Sequence, residues 1–204
     1  HFLKQYKSQF HQRSWEMYVG CVLLQNGFSL KSLDEGLDFV VNDHTYVECV
    51  ACNNADKGKA DYVPDLITGI AQDVPWRQMM LRITSVIRGK YENHYKKCFE
   101  KKWFDGNKPF IIAVNSGIFP FPQDYLGIPL IIRALFGLEF LQVNQNHQSS
   151  FSWKNNIQKG DSLVPVDYFT NDLFKEISGV IFSDGNILNH PDHIGDDCVF
   201  VNNP

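Results

Sequence analysis

Three carboxylates stand where the surrounding residues are of the kind that folding buries. Asp38 comes directly before the apolar run Phe39-Val40-Val41, Glu48 sits between Val47 and Val50, and Glu16 edges a helical stripe beside Val19, Gly20 and Leu23. An ionised carboxylate inside an apolar strand is costly. Two of them about 4 Å apart repel by roughly 4 kcal/mol at an effective dielectric near 20. A divalent cation cancels that repulsion and replaces lost hydration with oxygen ligation. The plainer reading is that Asp38 only ends a loop and Glu48 faces water, as alternate residues of a half-buried strand do.

Hairpin register separates the two readings. If Asn42-Asp43-His44 is a three-residue loop, Val41 pairs with Thr45 and Asp38 lies opposite Glu48, on one face with Cβ atoms about 5 Å apart. A two-residue loop, Asp43-His44, pairs Phe39 with Glu48 instead and turns Asp38 to the other face. Metal binding requires the first, or a bulge with the same result.

The cations are concentrated elsewhere. Between Trp76 and Lys108 there are nine (Arg77, Arg82, Arg88, Lys90, Lys96, Lys97, Lys101, Lys102 and Lys108) against Glu92, Glu100 and Asp105. That stretch carries +6 and the remainder of the chain −10, within a net charge of −4. With Tyr91, Tyr95 and Trp103 interleaved, it has the composition of a face that docks a phosphate backbone. A solvated helix face serving solubility is the bland alternative.

Other chemistries find weaker support. Cys49-Val50-Ala51-Cys52 is a C-x-x-C, but no second pair follows at zinc-finger spacing and the four residues lie in a strand-like run. Five scattered cysteines do not make a disulfide scaffold and fit a reducing compartment. Asn189-His190-Pro191-Asp192-His193, followed by Asp196, Asp197 and Cys198, groups metal-ligand types but reads as a solvated loop. No G-x-S-x-G, G-x-x-x-x-G-K-[ST] or G-x-G-x-x-G occurs, which argues against serine hydrolases, P-loop NTPases and Rossmann dehydrogenases.

The elements that must place these groups follow from periodicity. A helix is expected over about Gln12 to Asn26, ended by Gly27. Strands are expected over Leu37–Val41 and Thr45–Ala51, then loop over residues 53–74. A long helix should run from Trp76 to Lys102 with Met80, Thr84, Ile87, Tyr91 and Cys98 on one face. A buried strand (Phe110–Val114), a helix (Ile128–Leu141), a polar stretch (142–162), a short helix (Thr170–Lys175) and two strands (Gly179–Phe182, Cys198–Val201) complete the order. The sum is an α/β fold in one domain of 204 residues, with its core at about 12–115 and a C-terminal extension of the same domain. With 44% apolar and 21% charged residues the chain is ordinary for a globular protein and unlike a disordered one. Its apolar runs are too short for a bilayer, and Arg133 breaks the longest, so no membrane partner is expected. No secretory signal pattern is visible, and the expected location is cytoplasmic.

A helix carrying Glu16, Gly36-Leu37-Asp38-Phe39, a hairpin into Tyr46-Val47-Glu48-Cys49-Val50, a basic helix and an apolar strand together resemble the PD-(D/E)XK nuclease superfamily. The resemblance covers roughly Trp15 to Asn115. It implies a restriction-endonuclease-like fold, a mixed central sheet flanked by helices. It also implies a Mg²⁺ or Mn²⁺ ion held by Asp38, Glu48 and the Cys49 carbonyl, activating a water for attack on a phosphodiester. Glu16 matches the auxiliary acid on the first helix.

One position departs from that pattern. The family's lysine comes two residues after the second acid, where this chain has Val50. In some members that lysine has moved to a nearby helix, and Lys90 is the candidate for the phosphate-facing cation. Arg82, Arg88, Lys96, Lys97 and Lys101 are then expected to hold nucleic acid, DNA more than RNA. A homodimer is a further expectation, since many such enzymes pair to cut both strands. Two rivals stay open: a non-catalytic nucleic-acid-binding or protein-interaction module on the same scaffold, with Val50 the scar of a lost lysine, and a thiol or zinc protein built on Cys49, Cys52 and the histidine loop.

Overall fold

The computed structural model describes residues 9–33, 36–125, 128–143, 149–186, 189 and 191–204. Helix α1 (Phe10–Gln25) buries Trp15, Val19 and Gly20. It gives way at Gly27, whose φ of 80° is left-handed backbone that glycine adopts freely. Strands β1 (Leu30–Ser32), β2 (Phe39–Val41) and β3 (Thr45–Ala51) follow. Between β2 and β3, Asn42 and Asp43 take φ of 51° and 54°, a conformation their short polar side chains tolerate. The His44 N–H closes the turn on the Val41 carbonyl at 3.0 Å.

Helix α2 (Trp76–Lys90) continues through one π-helical turn (Tyr91–Tyr95) into a last α turn (Lys96–Cys98), stopping short of Lys102. Met80, Thr84, Ile87, Tyr91 and Cys98 are all buried, as their spacing predicts. Next come β4 (Phe110–Asn115), β5 (Asp124–Tyr125) and β6 (Ile128–Pro129). The helix expected over Ile128–Leu141 is shorter: α3 spans Leu130–Phe136, and Gly137 caps it at a φ of 66°. The residues after it form β7 (Leu138–Val143). The polar stretch is also structured, into β8 (Ser149–Trp153), β9 (Asn156–Lys159) and β10 (Ser162–Pro165). A 3₁₀ turn (Asp172–Phe174) precedes β11 (Gly179–Ser183) and β12 (Val199–Asn202).

The result is mixed α/β. Six strands form one sheet in the order β1-β2-β3-β4-β11-β12. The first three are an antiparallel meander, β3, β4 and β11 run parallel, and β12 returns antiparallel. The chain divides into two compact units, 1–52 with 86–118 and 176–204, and 53–85 with 119–175. The first holds the sheet. On one face Trp15 and Val19 pack with Val47, Cys49, Ala51 and Ala113, and the Trp15 indole donates to the Ala113 carbonyl at 2.9 Å. On the other, Tyr95 stacks on Phe110 with centroids 4.2 Å apart. The second unit has α3, the smaller hairpins and a core in which Tyr168 stacks on Phe174. Among the described residues no helix is long and apolar enough to cross a membrane.

Candidate functional site

The hairpin fixes where the acids go. Val41 pairs with Thr45, Val40 with Tyr46 and Phe39 with Val47, the register of the three-residue loop. Continued one step, it sets Asp38 opposite Glu48. The strands part there: β2 begins at Phe39, whereas β3 runs on to Ala51, leaving a short stretch of its edge without a strand partner.

Side chains cover that edge. One carboxylate oxygen of Asp38 accepts the Cys49 N–H at 2.8 Å. Gln12 of α1 accepts the Ala51 N–H through Oε1 and donates through Nε2 to the Cys49 carbonyl, both at 2.9 Å. One amide thus stands in for a neighbouring strand residue. Gln12 Nε2 also lies 2.8 Å from Glu16 Oε1, while Glu16 Oε2 pairs with Arg13 at 2.5 Å. Glu16 therefore steadies the glutamine that occupies the Cys49 carbonyl. That carbonyl keeps a second lone pair.

Glu48 does not face solvent. It is 1% exposed, which removes the solvated alternative for this residue. Its Oε1 accepts from Lys90 Nζ at 2.5 Å and lies 3.1 Å from His94 Nδ1. Its Oε2 is buried with no hydrogen-bond partner. Lys90 and His94, four apart across the π-turn, converge on one oxygen as i,i+4 neighbours do. Burial, then the charge of Glu48, push the Asp38 carboxyl up to about 7; the Cys49 N–H and the more distant Lys90 only partly offset this. A buried carboxylate oxygen without a donor, beside an acid that resists ionisation, is a donor set that fits a hard cation. Among the described residues no cluster of three or more His, Cys, Asp or Glu side chains is arranged around a metal position. The arrangement offers two carboxylates and a main-chain oxygen.

The remaining expected residues are dispersed. Arg88, Lys96, Lys97 and Lys101 are exposed. Lys96 pairs with Glu92 at 3.0 Å and lies over the Tyr91 ring. Arg82 is in the second unit, where it binds the Asn53 carbonyl at 2.7 Å and the buried Asp61 at 3.0 Å; Lys159 reaches the same carboxylate at 2.8 Å. Cys49 and Cys52 are buried thiols not joined in a disulfide, and burial with the neighbouring carboxylates raises the Cys49 thiol well above its ordinary value. Of the histidine loop, His190 lies outside the described residues. Asp197 accepts from the Tyr18 and Ser183 hydroxyls.

Sequence reasoning missed Gln12 and His94. Each is offset by four from a residue it selected, Glu16 and Lys90, which is the signal that could have found them. No protein-family model matches the chain, and neither the curated proteins nor the solved structures contain a match.

Proposed function

We propose that the chain is a Mg²⁺- or Mn²⁺-dependent nuclease of restriction-endonuclease-like fold, hydrolysing phosphodiester bonds of DNA or RNA. The observation that carries the reading is the convergence of Asp38, Glu48 and Lys90 where β2 and β3 separate. Support also comes from the order of elements: helix, antiparallel hairpin, basic helix, and a strand parallel to β3.

In this reading Asp38 and Glu48 hold the cation, with the Cys49 carbonyl as the third oxygen. When bound, the ion supplies a water of lowered pKa and neutralises charge on the phosphate. Lys90 has three N–H donors and gives one to Glu48, so two remain for a phosphate oxygen. His94 and Lys90 hold the Glu48 carboxylate in place. Gln12 and Glu16 fix the β3 edge and so the spacing of the Cys49 oxygen from both acids. Arg88, Lys96, Lys97 and Lys101 carry the electrostatic hold on the nucleic-acid backbone.

One observation favours the non-catalytic rival. Lys90 already neutralises Glu48 without a metal, so the scaffold can stand as a binding module alone. Cleavage of plasmid and single-stranded DNA with Mg²⁺ or Mn²⁺, beside Glu48→Ala, decides between them. The nuclease reading expects metal-dependent cleavage that Glu48→Ala abolishes. It also expects Lys90→Ala to lower the rate on the order of a hundredfold, with DNA affinity little changed. Absence of cleavage with both metals contradicts it.

A further inference from the structure

A second feature lies at the carboxyl ends of the parallel strands β4 and β11, the end of an α/β sheet where ligands bind. A cavity of about 710 Å³ opens there between the first turns of α1 and the loops that follow both strands. Its volume falls within the roughly 300–1,000 Å³ of small-molecule sites.

The floor is tied together. A Cβ on Gly117 would come 2.2 Å from the Gly185 carbonyl, so the two loops touch through glycine backbone. The Asn115 amide binds the Gly185 carbonyl at 2.9 Å and accepts the Gly117 N–H at 3.2 Å. Asp197 links the Tyr18 and Ser183 hydroxyls, so both its oxygens are engaged and its charge stays in the wall. The pocket is therefore preformed.

Its lining selects the ligand. Trp15 and Tyr18 are stacked with ring centroids 5.8 Å apart, and Phe10 meets His11 edge to face at 5.7 Å. Polar edges from Ser14 and Asn186 interrupt the apolar surface of Ile118 and Ile194. Aromatic faces with scattered polar edges suit a heteroaromatic ring better than an aliphatic chain. A carboxylate in the wall repels a phosphate but not a neutral base.

The pocket shares α1 and the central strands with the carboxylate site but opens on the other side of the sheet: Trp15 packs against Cys49 and Ala113, whereas Glu48, the preceding residue of β3, turns to Lys90 and His94. Ser14 and Trp15 lie on α1 between Gln12 and Glu16. Asn115 pairs in register with Ala51, three residues beyond Glu48, or about 10 Å along a strand. We propose that this cavity receives a base of the nucleic-acid strand being cut, and so sets where the strand is held. The assignment rests on the nuclease reading for its role, while the pocket's affinity for a base can be measured without it.

Two measurements separate the claims. Saturation-transfer NMR with adenosine should show transfer to the base protons in the parent, weakened about tenfold or more in Ile194→Trp, which fills the cavity from an exposed position, and in Phe10→Ala, which removes an aromatic wall. Single abasic sites placed along a cleaved oligonucleotide should reveal one position that lowers the rate by a similar factor, and Ile194→Trp should abolish that dependence. No transfer in the parent, or equal transfer in folded Ile194→Trp and Phe10→Ala, overturns the pocket. A parent that cleaves but ignores every abasic position overturns the pocket's role and leaves the nuclease reading standing. A parent that binds adenosine but cleaves nothing keeps the pocket as a base site and overturns the nuclease reading.

Discussion

The Lys90 ammonium lies 2.5 Å from Oε1 of Glu48, joining the end of α2 to the middle of β3 across 42 residues of sequence. The carboxylate is almost wholly buried and the ammonium mostly so. Removing one partner of such a pair leaves a charge in a poorly solvated place, whereas removing both can be nearly neutral. Lys90→Met should therefore destabilise the metal-free protein by about 3 kcal/mol, at the low end of the buried-pair range because His94 remains. Glu48→Leu/Lys90→Met should recover most of that loss. Urea unfolding of the parent, both single variants and the double variant measures it; additive costs would mean that the two residues are not energetically coupled.

Asp38 makes the metal-free protein's stability depend on pH in a definite direction. Its folded pKa is about 7 against an ordinary value of 3.8, so the folded state holds a proton that the unfolded state releases. The contribution is complete below about pH 4, falls as pH rises, and is gone above about pH 7. Over that window it amounts to on the order of 2–4 kcal/mol. Asp38→Asn should lack this decline and be more stable than the parent at pH 8. Chemical denaturation at several pH values compares them, and parallel curves for the two proteins would contradict the assignment.

Gln12 closes the open edge of β3 with one amide. Gln12→Ala leaves the Ala51 N–H and the Cys49 carbonyl without their partner, at a cost of about 1–3 kcal/mol where water cannot reach them. Gln12→Glu keeps the acceptor for Ala51 but sets a carboxylate against the Cys49 carbonyl and Glu16, and should be worse than Gln12→Ala near neutral pH. Thermal unfolding ranks them, and the reverse order would show that the amide is not satisfying both backbone groups.

The exposed cations after Lys90 bear on partners. Each phosphate neutralised on duplex DNA contributes a slope of about −0.9 in log affinity against log salt. Replacing Lys96, Lys97 and Lys101 by Ala should weaken DNA binding and flatten that slope with the fold intact. An unchanged slope in a salt titration would leave the basic run as a solubility feature.

What the sequence revealed follows the strength of local signals. The β2–β3 hairpin was readable from its turn residues but its register was not, since loops of two and of three residues both fit Asn42-Asp43-His44 until the left-handed backbone of Asn42 and Asp43 and the pairing of Val41 with Thr45 are seen. The buried stripe of α2 was readable from its spacing. Residues 128–141 were not: an apolar run does not separate helix from strand, and Gly137, which ends α3, looks like an ordinary glycine until its backbone is seen against the Lys154 carbonyl. The β8–β10 hairpins lie in a stretch too polar to alternate, with Trp153 and Leu163 exposed. Arg82 read as part of a basic stripe because its partner, Asp61, lies 21 residues away in a segment without period. Gln12 escaped notice because a neutral amide announces no chemistry until the strand edge it completes is known.

In the nuclease reading Asp38 and Glu48 share a divalent cation. The direct measurement is a Mn²⁺ titration followed by the electron paramagnetic resonance of the free ion, at pH 6 and pH 8, with parent, Asp38→Asn and Glu48→Gln. One site is expected in the parent, binding more tightly at pH 8, because Asp38 must give up its proton to bind. Either substitution should weaken that site at least tenfold. Equal binding by parent and Asp38→Asn, or no binding by the parent at pH 8, would contradict the shared site.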